Sequence, residues 1–387
     1  MKLAGSKKYI TFGAPYMGNE EIRAVTAVLR SGWIGTGAKA VAFEKTVAKY
    51  VGAKFACAVN SCTAALHLGL VAKGIGAGDE VITTPLTFCA SANVIVHAGA
   101  VPVFVDISRE TMNIDEKKIE SAITSRTKAI MPVHMTGRPC NMDAIRALAR
   151  KHKLVVIEDA AHAIGAEYKG KKIGTLSDIT CFSFYTTKNI TTAEGGMLMT
   201  DDRMLAERIR MLSLHGISKD AWKRYGAGGY VHYETIEPGF KYNLTDIAAA
   251  MGIAQMKKIS RFNARRKEIW DVYNKNFRDL PVTIPAEIPT AIKHARHLYT
   301  LLIDEKKAGI TRDEFMHKLH KRGIGSGIHF SALHLHKYYR ERFGYKKGDF
   351  PEAEYVGDRT VSLPLSAGLT DTEVKRICEA VREIILA

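Results

Sequence analysis

The sequence predicts an α/β fold: a largely parallel seven-stranded sheet with flanking helices, followed by a smaller α+β C-terminal unit. Three observations carry this expectation. Between about residue 55 and residue 200, short apolar runs alternate with helix-like segments. After Tyr242 the pattern changes to a long helical stretch and then to mixed short elements. The chain has 387 residues, 46% of them hydrophobic, which exceeds one ordinary core and suggests two domains, 1–245 and 246–387.

The expected strands of the sheet are Phe55–Val59, Glu80–Thr84, Val101–Asp106, Ala129–Val133, Val155–Asp159, Ile179–Tyr185 and Met197–Thr200. Helical patterns fall between the first five: Thr63–Lys73, Ala90–Ala98, Asp115–Ala122 and Met142–His152. Buried strands alternating with helices argue for parallel pairing. In the second unit, Asn243 to Asp246 offer caps to a helix from Ile247 to about Phe277, broken near Ser260. Leu298–Ile303, Ile324–Phe330 and Thr360–Leu363 read as strands, and Arg312–Arg322 as a helix. Thr370 to Glu373 form a capping box that opens a C-terminal helix.

Composition narrows the class. The 56 Lys+Arg against 40 Asp+Glu give +16, a field that favours anionic partners. No zinc finger or RNA-binding signature accompanies it, so a phosphorylated small molecule fits better than nucleic acid. The six cysteines show no CxxC and no framework spacing, and Met1–Lys8 is polar with no apolar run behind it. A reducing cytoplasm is therefore expected, with no membrane span. His329, His334 and His336 match no standard ligand spacing, and no metal is expected.

Ligands in such sheets bind beyond the carboxyl ends of the strands, so chemistry is sought there. At the first, Asn60-Ser61-Cys62-Thr63 leads straight into a helix. Free N–H groups there suit a phosphate, although an ordinary N-cap has the same composition. Phe88 follows the second strand, where it either stacks on a flat ligand or fills the core. Asp159 and His162 follow the fifth. Asp159 could pair with a protonated heterocyclic nitrogen, bind a ribose or a metal, or cap a helix. His162 is a ligand contact or a satisfied core histidine.

Lys188 is the one charged side chain in the fifteen residues Ile179–Ala193, where average composition would give about four. Desolvation would lower its pKa and make it a usable amine nucleophile. A phosphate cradle, an aromatic, an acid and an amine at the ends of one sheet are the parts that pyridoxal 5'-phosphate requires. Ser183 adds a hydroxyl for the phosphate.

An ordered series of motifs then becomes recognisable: Ser31 to Gly37 (SGWIGTG), Pro132-Val133-His134, Glu158-Asp159-Ala160-Ala161-His162-Ala163, Phe182-Ser183-Phe184 to Lys188-Asn189, Glu194-Gly195-Gly196, Gly239 to Asp246, Gly327-Ile328-His329 and Leu363-Pro364-Leu365. Over nearly the whole chain the sequence resembles the DegT/DnrJ/StrS family of sugar-nucleotide aminotransferases, fold-type I pyridoxal-phosphate enzymes. The resemblance implies Lys188 as the Schiff-base lysine, Asp159 on the pyridine nitrogen and His162 near the ring hydroxyl. It implies Phe88 as the stacking ring, and Cys62, Thr63 and Ser183 as the phosphate cradle. It also implies a cytoplasmic homodimer in which Lys241 and Asn243 reach the partner's cofactor, with Ile34, Thr36 and His329 near the substrate.

Lys241-Tyr242-Asn243 and the stretch His334–Phe350 look most like the branch that makes UDP-4-amino-4-deoxy-L-arabinose. That implies amino transfer from glutamate to a keto carbon, C4 by that likeness with C3 open, of a UDP- or dTDP-sugar. The product would serve lipopolysaccharide, other cell-surface or secondary-metabolite amino-sugar synthesis. Cations near Trp222–Tyr230 are candidates for the diphosphate. The family's dehydratases carry a His in place of the lysine, so Lys188 favours transamination. A regulator that merely kept the fold would be expected to have lost Lys188 or Asp159.

Overall fold

The computed structural model describes residues 8–218 and 232–387. Two helices, α1 (Asn19–Ser31) and α2 (Ala38–Val51), precede the first strand. The sheet region contains β1 (Phe55–Val59), α3 (Cys62–Ala72), β2 (Glu80–Thr83), α4 (Cys89–His97), β3 (Val101–Phe104), the short α5 (Glu116–Ile119), β4 (Thr127–Ile130), α6 (Met142–His152) and β5 (Val155–Asp159). A small hairpin, β6 (Glu167–Tyr168) and β7 (Lys171–Lys172), interrupts the alternation before β8 (Ile179–Ser183), β9 (Gly196–Thr200) and α7 (Arg203–Leu212). The large sheet has seven strands in the order β1-β9-β8-β5-β4-β2-β3. β8, β5, β4, β2 and β3 pair in parallel, while β9 runs antiparallel to both β1 and β8.

The expected long helix is two: α8 (Asp246–Met256) and α9 (Ile259–Phe277), which break at Lys257-Lys258. Lys258 Nζ turns back onto Glu21 at 2.7 Å and pins α1 against the break. Beyond lie β10 (Ile292–Lys293), β11 (Tyr299–Leu302), α10 (Glu305–Ala308), α11 (Arg312–Lys321), α12 (Lys337–Phe343), α13 (Pro351–Arg359), β12 (Thr360–Leu363) and α14 (Asp371–Leu386). The Thr370–Glu373 capping box opens α14 as expected. Ile324–Phe330 is not a strand. Among the described residues it makes only single bridges, Ile324 to Ile10 and Gly327 to Ser362 on the free edge of β12, and no continuous ladder forms.

Apolar side chains pack on both faces of the large sheet. A further core forms from α9, α11, α14, β11 and β12, and Ile10 joins it from far along the chain. α9 serves both regions: Phe262 packs with the sheet layer, and Trp270, Tyr273 and Phe277 with the C-terminal core. Among the described residues, no helix is long and apolar enough to cross a membrane.

Two carboxylates fasten distant parts by capping helices they do not belong to. Asp246 accepts from the backbone N–H of Gly37, Lys39 and Ala40 at the start of α2 (2.8, 3.1 and 2.9 Å). Asp106 accepts from Glu352 and Ala353 at the start of α13 (3.1 and 2.9 Å). Each satisfies orphan donors and complements the positive end of a helix.

Candidate active site

A cavity of about 420 Å³ opens beyond the carboxyl ends of β5 and β8, at the N-terminus of α3. That is within the range of small-molecule sites. Its walls bring together Thr63, Phe88, Asp159, His162, Ser183, Lys188 and His329, all expected from the sequence, with Cys62 at its edge.

The α3 end is built by Ser61, whose hydroxyl accepts from the Ala64 N–H at 3.0 Å and so takes the capping role. Thr63 therefore stands beyond the cap, exposed to the cavity. Among the described residues, the N–H groups of Cys62 and Thr63 have no partner at the helix start, an arrangement suited to phosphate. The Cys62 thiol is turned away and donates to the Cys181 carbonyl at 3.4 Å, so only its backbone can join a cradle. Gly196 makes the arrangement sterically feasible: a Cβ there would lie 2.3 Å from the Ser61 carbonyl carbon. Ser183 closes this end, with its hydroxyl accepting from the Tyr185 N–H at 3.3 Å.

Asp159 ends β5 and is buried. No helix follows it, which removes the capping alternative. Its Oδ2 accepts from Ser91 Oγ at 2.7 Å and its Oδ1 from the Ala161 N–H at 3.1 Å. Two of its roughly four acceptor positions stay open toward the cavity. Behind it, His134 accepts the Cys140 N–H at Nδ1 (3.1 Å), so Nε2 carries the proton donated to Glu158 at 2.6 Å. Thr180 Oγ1 donates to the other Glu158 oxygen at 2.9 Å. This fully buried set fixes the strand end from which Asp159 projects.

Lys188 follows β8 on a turn, and part of its side chain faces the cavity. Its amine makes no hydrogen bond among the described residues. Desolvation pushes its pKa down to about 8, with Cys62 and Asp159 partly opposing. The next residue is clamped: Asn189 Nδ2 donates to the Ala295 carbonyl at 2.8 Å, leaving Oδ1 to accept from His297 Nδ1 at 3.1 Å. His297 and His162 lie 4.5 Å apart, ring to ring, and burial holds both well below the usual histidine range. His162 Nδ1 is buried without any partner. His162 lines the cavity through other atoms, and a buried nitrogen left without a partner calls for one.

Phe88 is 58% exposed and stands 5.9 Å from the Phe330 ring at the cavity mouth. It is thus no core residue. Four expected residues are elsewhere in this chain. Thr36 donates to the Leu244 carbonyl and accepts from Asn243 Nδ2, both at 2.6 Å, with Ile34 half-exposed beside them. Lys241 is exposed on the same segment, next to the outer edge of β1. The cations near Trp222–Tyr230 fall outside the described residues. His334 gives its Nε2 to Glu354 at 2.9 Å, and no cluster suited to a metal ion occurs among the described residues. Sequence reasoning missed Ser91, Asn189 as a clamp, and His297. Only Asn189 carried a signal, as the neighbour of Lys188.

A free phosphate cradle, an open carboxylate, an unpartnered imidazole nitrogen and a low-pKa amine in one cavity fit pyridoxal 5'-phosphate. Comparison with known proteins agrees. The profile of the DegT/DnrJ/EryC1/StrS aminotransferase family matches residues 15–382. The spore coat polysaccharide biosynthesis protein SpsC of Bacillus subtilis (strain 168) is 51% identical over 378 residues, 97% of this chain and 97% of that protein. Spr1654 from Streptococcus pneumoniae, solved in its PLP form, superposes with a TM-score of 0.90 at 33% identity, over 98% of this chain and 99% of that one. Helicobacter pylori PseC, an aminotransferase involved in the biosynthesis of pseudoaminic acid, gives 0.90 at 31% identity, over 98% and 100%. Fold and cavity define a pyridoxal-phosphate-dependent sugar aminotransferase. The chain belongs to the DegT/DnrJ/EryC1/StrS aminotransferase family.

Proposed function

We propose that the protein transfers the amino group of glutamate to the C4 keto group of a UDP- or dTDP-linked sugar, for amino-sugar synthesis. The observation that carries this reading is the Lys188 amine, unpaired and desolvated, in one cavity with the open carboxylate of Asp159. The nucleotide part is supported by the net charge of +16, which suits a diphosphate, and by the kinship with sugar aminotransferases.

Pyridoxal 5'-phosphate supplies an aldehyde that carries the amino group and a ring that takes up electron density from the reacting carbon. The residues do the rest. The N–H groups of Cys62 and Thr63, with Ser183 Oγ, would hold the phosphate. The Asp159 carboxylate would hold a proton on the ring nitrogen by charge pairing, and Ser91 keeps that carboxylate oriented. Phe88 would cover the ring, and His162 would stand beside it. Lys188 Nζ accepts the proton from the donor's carbon and returns it at the acceptor's carbon, a task suited to a pKa of about 8. His329 lines the sugar end.

The working unit in this reading is a homodimer. Ile34, Thr36, Lys241 and Asn243 gather away from their own cavity, where they would serve the partner's. Tyr16, Met17, Ile22, Leu29 and Trp33, exposed in the same N-terminal stretch, would be covered. A screen of UDP- and dTDP-4-keto sugars with glutamate as donor tests the substrate. Amination of none of them, against activity on free amino acids and keto acids alone, would remove the sugar reading.

A further inference from the structure

The segment Lys8–Gly13 has little regular structure, yet it is fastened along its length. The Lys8 carbonyl accepts from Arg376 Nη1 at 2.7 Å. Tyr9 OH stands 3.1 Å from His320 Nδ1. Ile10 is buried in the C-terminal core, donating to the Gly323 carbonyl and accepting from the Gly325 N–H, both at 2.8 Å. The Phe12 ring stacks on His329, with centroids 5.3 Å apart and an interplanar angle of 29°. Gly13 has φ +67°, and a Cβ there would lie 3.0 Å from Thr187 Cβ, the residue before Lys188. The segment thus runs from the C-terminal core, past His329, to the catalytic lysine's turn.

Two glycines clear its path. A Cβ on Gly325 would lie 2.8 Å from the Phe12 nitrogen, and one on Gly327 would lie 2.8 Å from His329 Cε1. His329 is held from the other side by Ser362 Oγ, 2.9 Å from Nδ1. Ser362 is fully buried, and its backbone exchanges hydrogen bonds with Gly327 at 2.7 and 3.1 Å. A serine hydroxyl donates or accepts as needed, so either tautomer of His329 is accommodated and Nε2 is left over.

We propose that Phe12 is a positioning residue for His329, and that Lys8–Gly13 forms a strap that sets how His329 is presented to the sugar in the cavity. The sugar part rests on the nucleotide-sugar reading above; the strap does not. Phe12 covers one ring face, Ser362 fixes Nδ1, and the ring is left one way to meet a substrate hydroxyl or carbonyl, through Nε2. The charged and titratable groups that bear on His329 are Lys188, His162 and His297. Burial, with Lys188 second, pushes its pKa down to about 4, so the ring is neutral at ordinary pH.

The test uses Phe12→Ala and Phe12→Leu in the full-length holoenzyme. With isotope-labelled histidine, the His329 resonance should titrate well below the usual histidine range in the parent, because burial disfavours the charged ring. It should move up by about one unit or more in Phe12→Ala as water reaches the ring, and by less in Phe12→Leu, which keeps apolar cover. With a UDP-4-keto sugar as probe, KM for the sugar should rise roughly tenfold in Phe12→Ala, and KM for glutamate by far less. If Phe12→Ala does not fold, Phe12→Leu decides by the same two readouts. A His329 titration and a sugar KM that both stay at parent values overturn the proposal. Loss of the nucleotide-sugar reading would show instead as a parent enzyme inactive on the probe, with the His329 titration still reading the strap.

Discussion

Gly196 and Ser61 approach so closely that a Cβ on the glycine would lie 2.3 Å from the serine's carbonyl carbon and oxygen, and 2.5 Å from the Cys62 nitrogen. The end of β9 is therefore the floor against which the α3 N-terminus is set. Gly196→Ala should push that helix start away from the cavity. Overpacking of this kind costs about 1–3 kcal/mol of stability. Urea denaturation should show that loss, and equilibrium dialysis should show weakened cofactor binding, because the donors facing the phosphate shift with the helix.

Asp159→Asn keeps an acceptor for the Ala161 N–H, turns an amide donor toward Ser91 Oγ, and removes the charge. The variant should fold and still bind the cofactor. Its turnover should fall by about 10²–10³-fold, the usual loss when a positioned electrostatic group is removed. Steady-state kinetics beside a thermal melt separate this from unfolding. A turnover within a few-fold of the parent would contradict the pairing with the ring nitrogen.

Lys188 makes the cofactor-free protein's stability depend on pH. Its pKa is about 8 when folded and near 10.5 when free. Below about pH 8 both states carry the proton, and the folded state bears the full cost of an unpaired, poorly solvated ammonium. From about pH 8 to about pH 10.5 the unfolded chain holds more protons, so stability rises with pH until the cost is gone. Lys188→Met should thus stabilise the cofactor-free protein at neutral pH by a few kcal/mol at most, less for the part that faces solvent. That advantage should fade across the same window, and the variant should be inactive. Denaturation curves at several pH values check the slope.

Asp246 satisfies three backbone donors of a helix some 200 residues away in sequence. Asp246→Ala should cost about 1–3 kcal/mol, since charge-assisted bonds are worth more than a usual cap and the Ala40 donor is left buried and unpaired. Asp246→Asn should recover part of it. Chemical denaturation of the three proteins measures the order.

A mixture of Lys188→Ala and Lys241→Glu chains, each weak alone, should regain activity after joint refolding if the site is shared between subunits. Sedimentation should find dimers. Monomers at working concentration, or no recovery on mixing, would remove the shared site.

Much of the sheet was legible because buried strands differ from their surroundings in ways that composition records. β1, β5 and β12 lie where the apolar runs place them. The misses are systematic. The runs ending at Thr84, Asp106, Val133 and Tyr185 each overshoot the true strand at its carboxyl end. Those residues are enclosed for other reasons than ladder pairing: Val133 and Tyr185 line the cavity, Val105 and Phe184 pack in the core, and Asp106 caps α13. Ile324–Phe330 alternates like a strand, but pairing depends on a partner, and among the described residues Ile324 is bridged by Ile10 alone.

The site shows the same division. Lys188, Asp159, Thr63 and Phe88 sit at strand ends, where local pattern and position suffice to find them. Ser91 reaches Asp159 across 68 residues, and His297 reaches Asn189 across 108. Nothing in the run around either one differs from an ordinary helix or loop, because their roles exist only once the chain has folded.

The central claim is that Lys188 carries the cofactor. Purified protein loaded with pyridoxal 5'-phosphate should be yellow, and borohydride reduction followed by peptide mass mapping should find one pyridoxyl group, on Lys188. A pyridoxyl group fixed to another lysine, or a Lys188→Ala protein that transaminates as well as the parent, would contradict it.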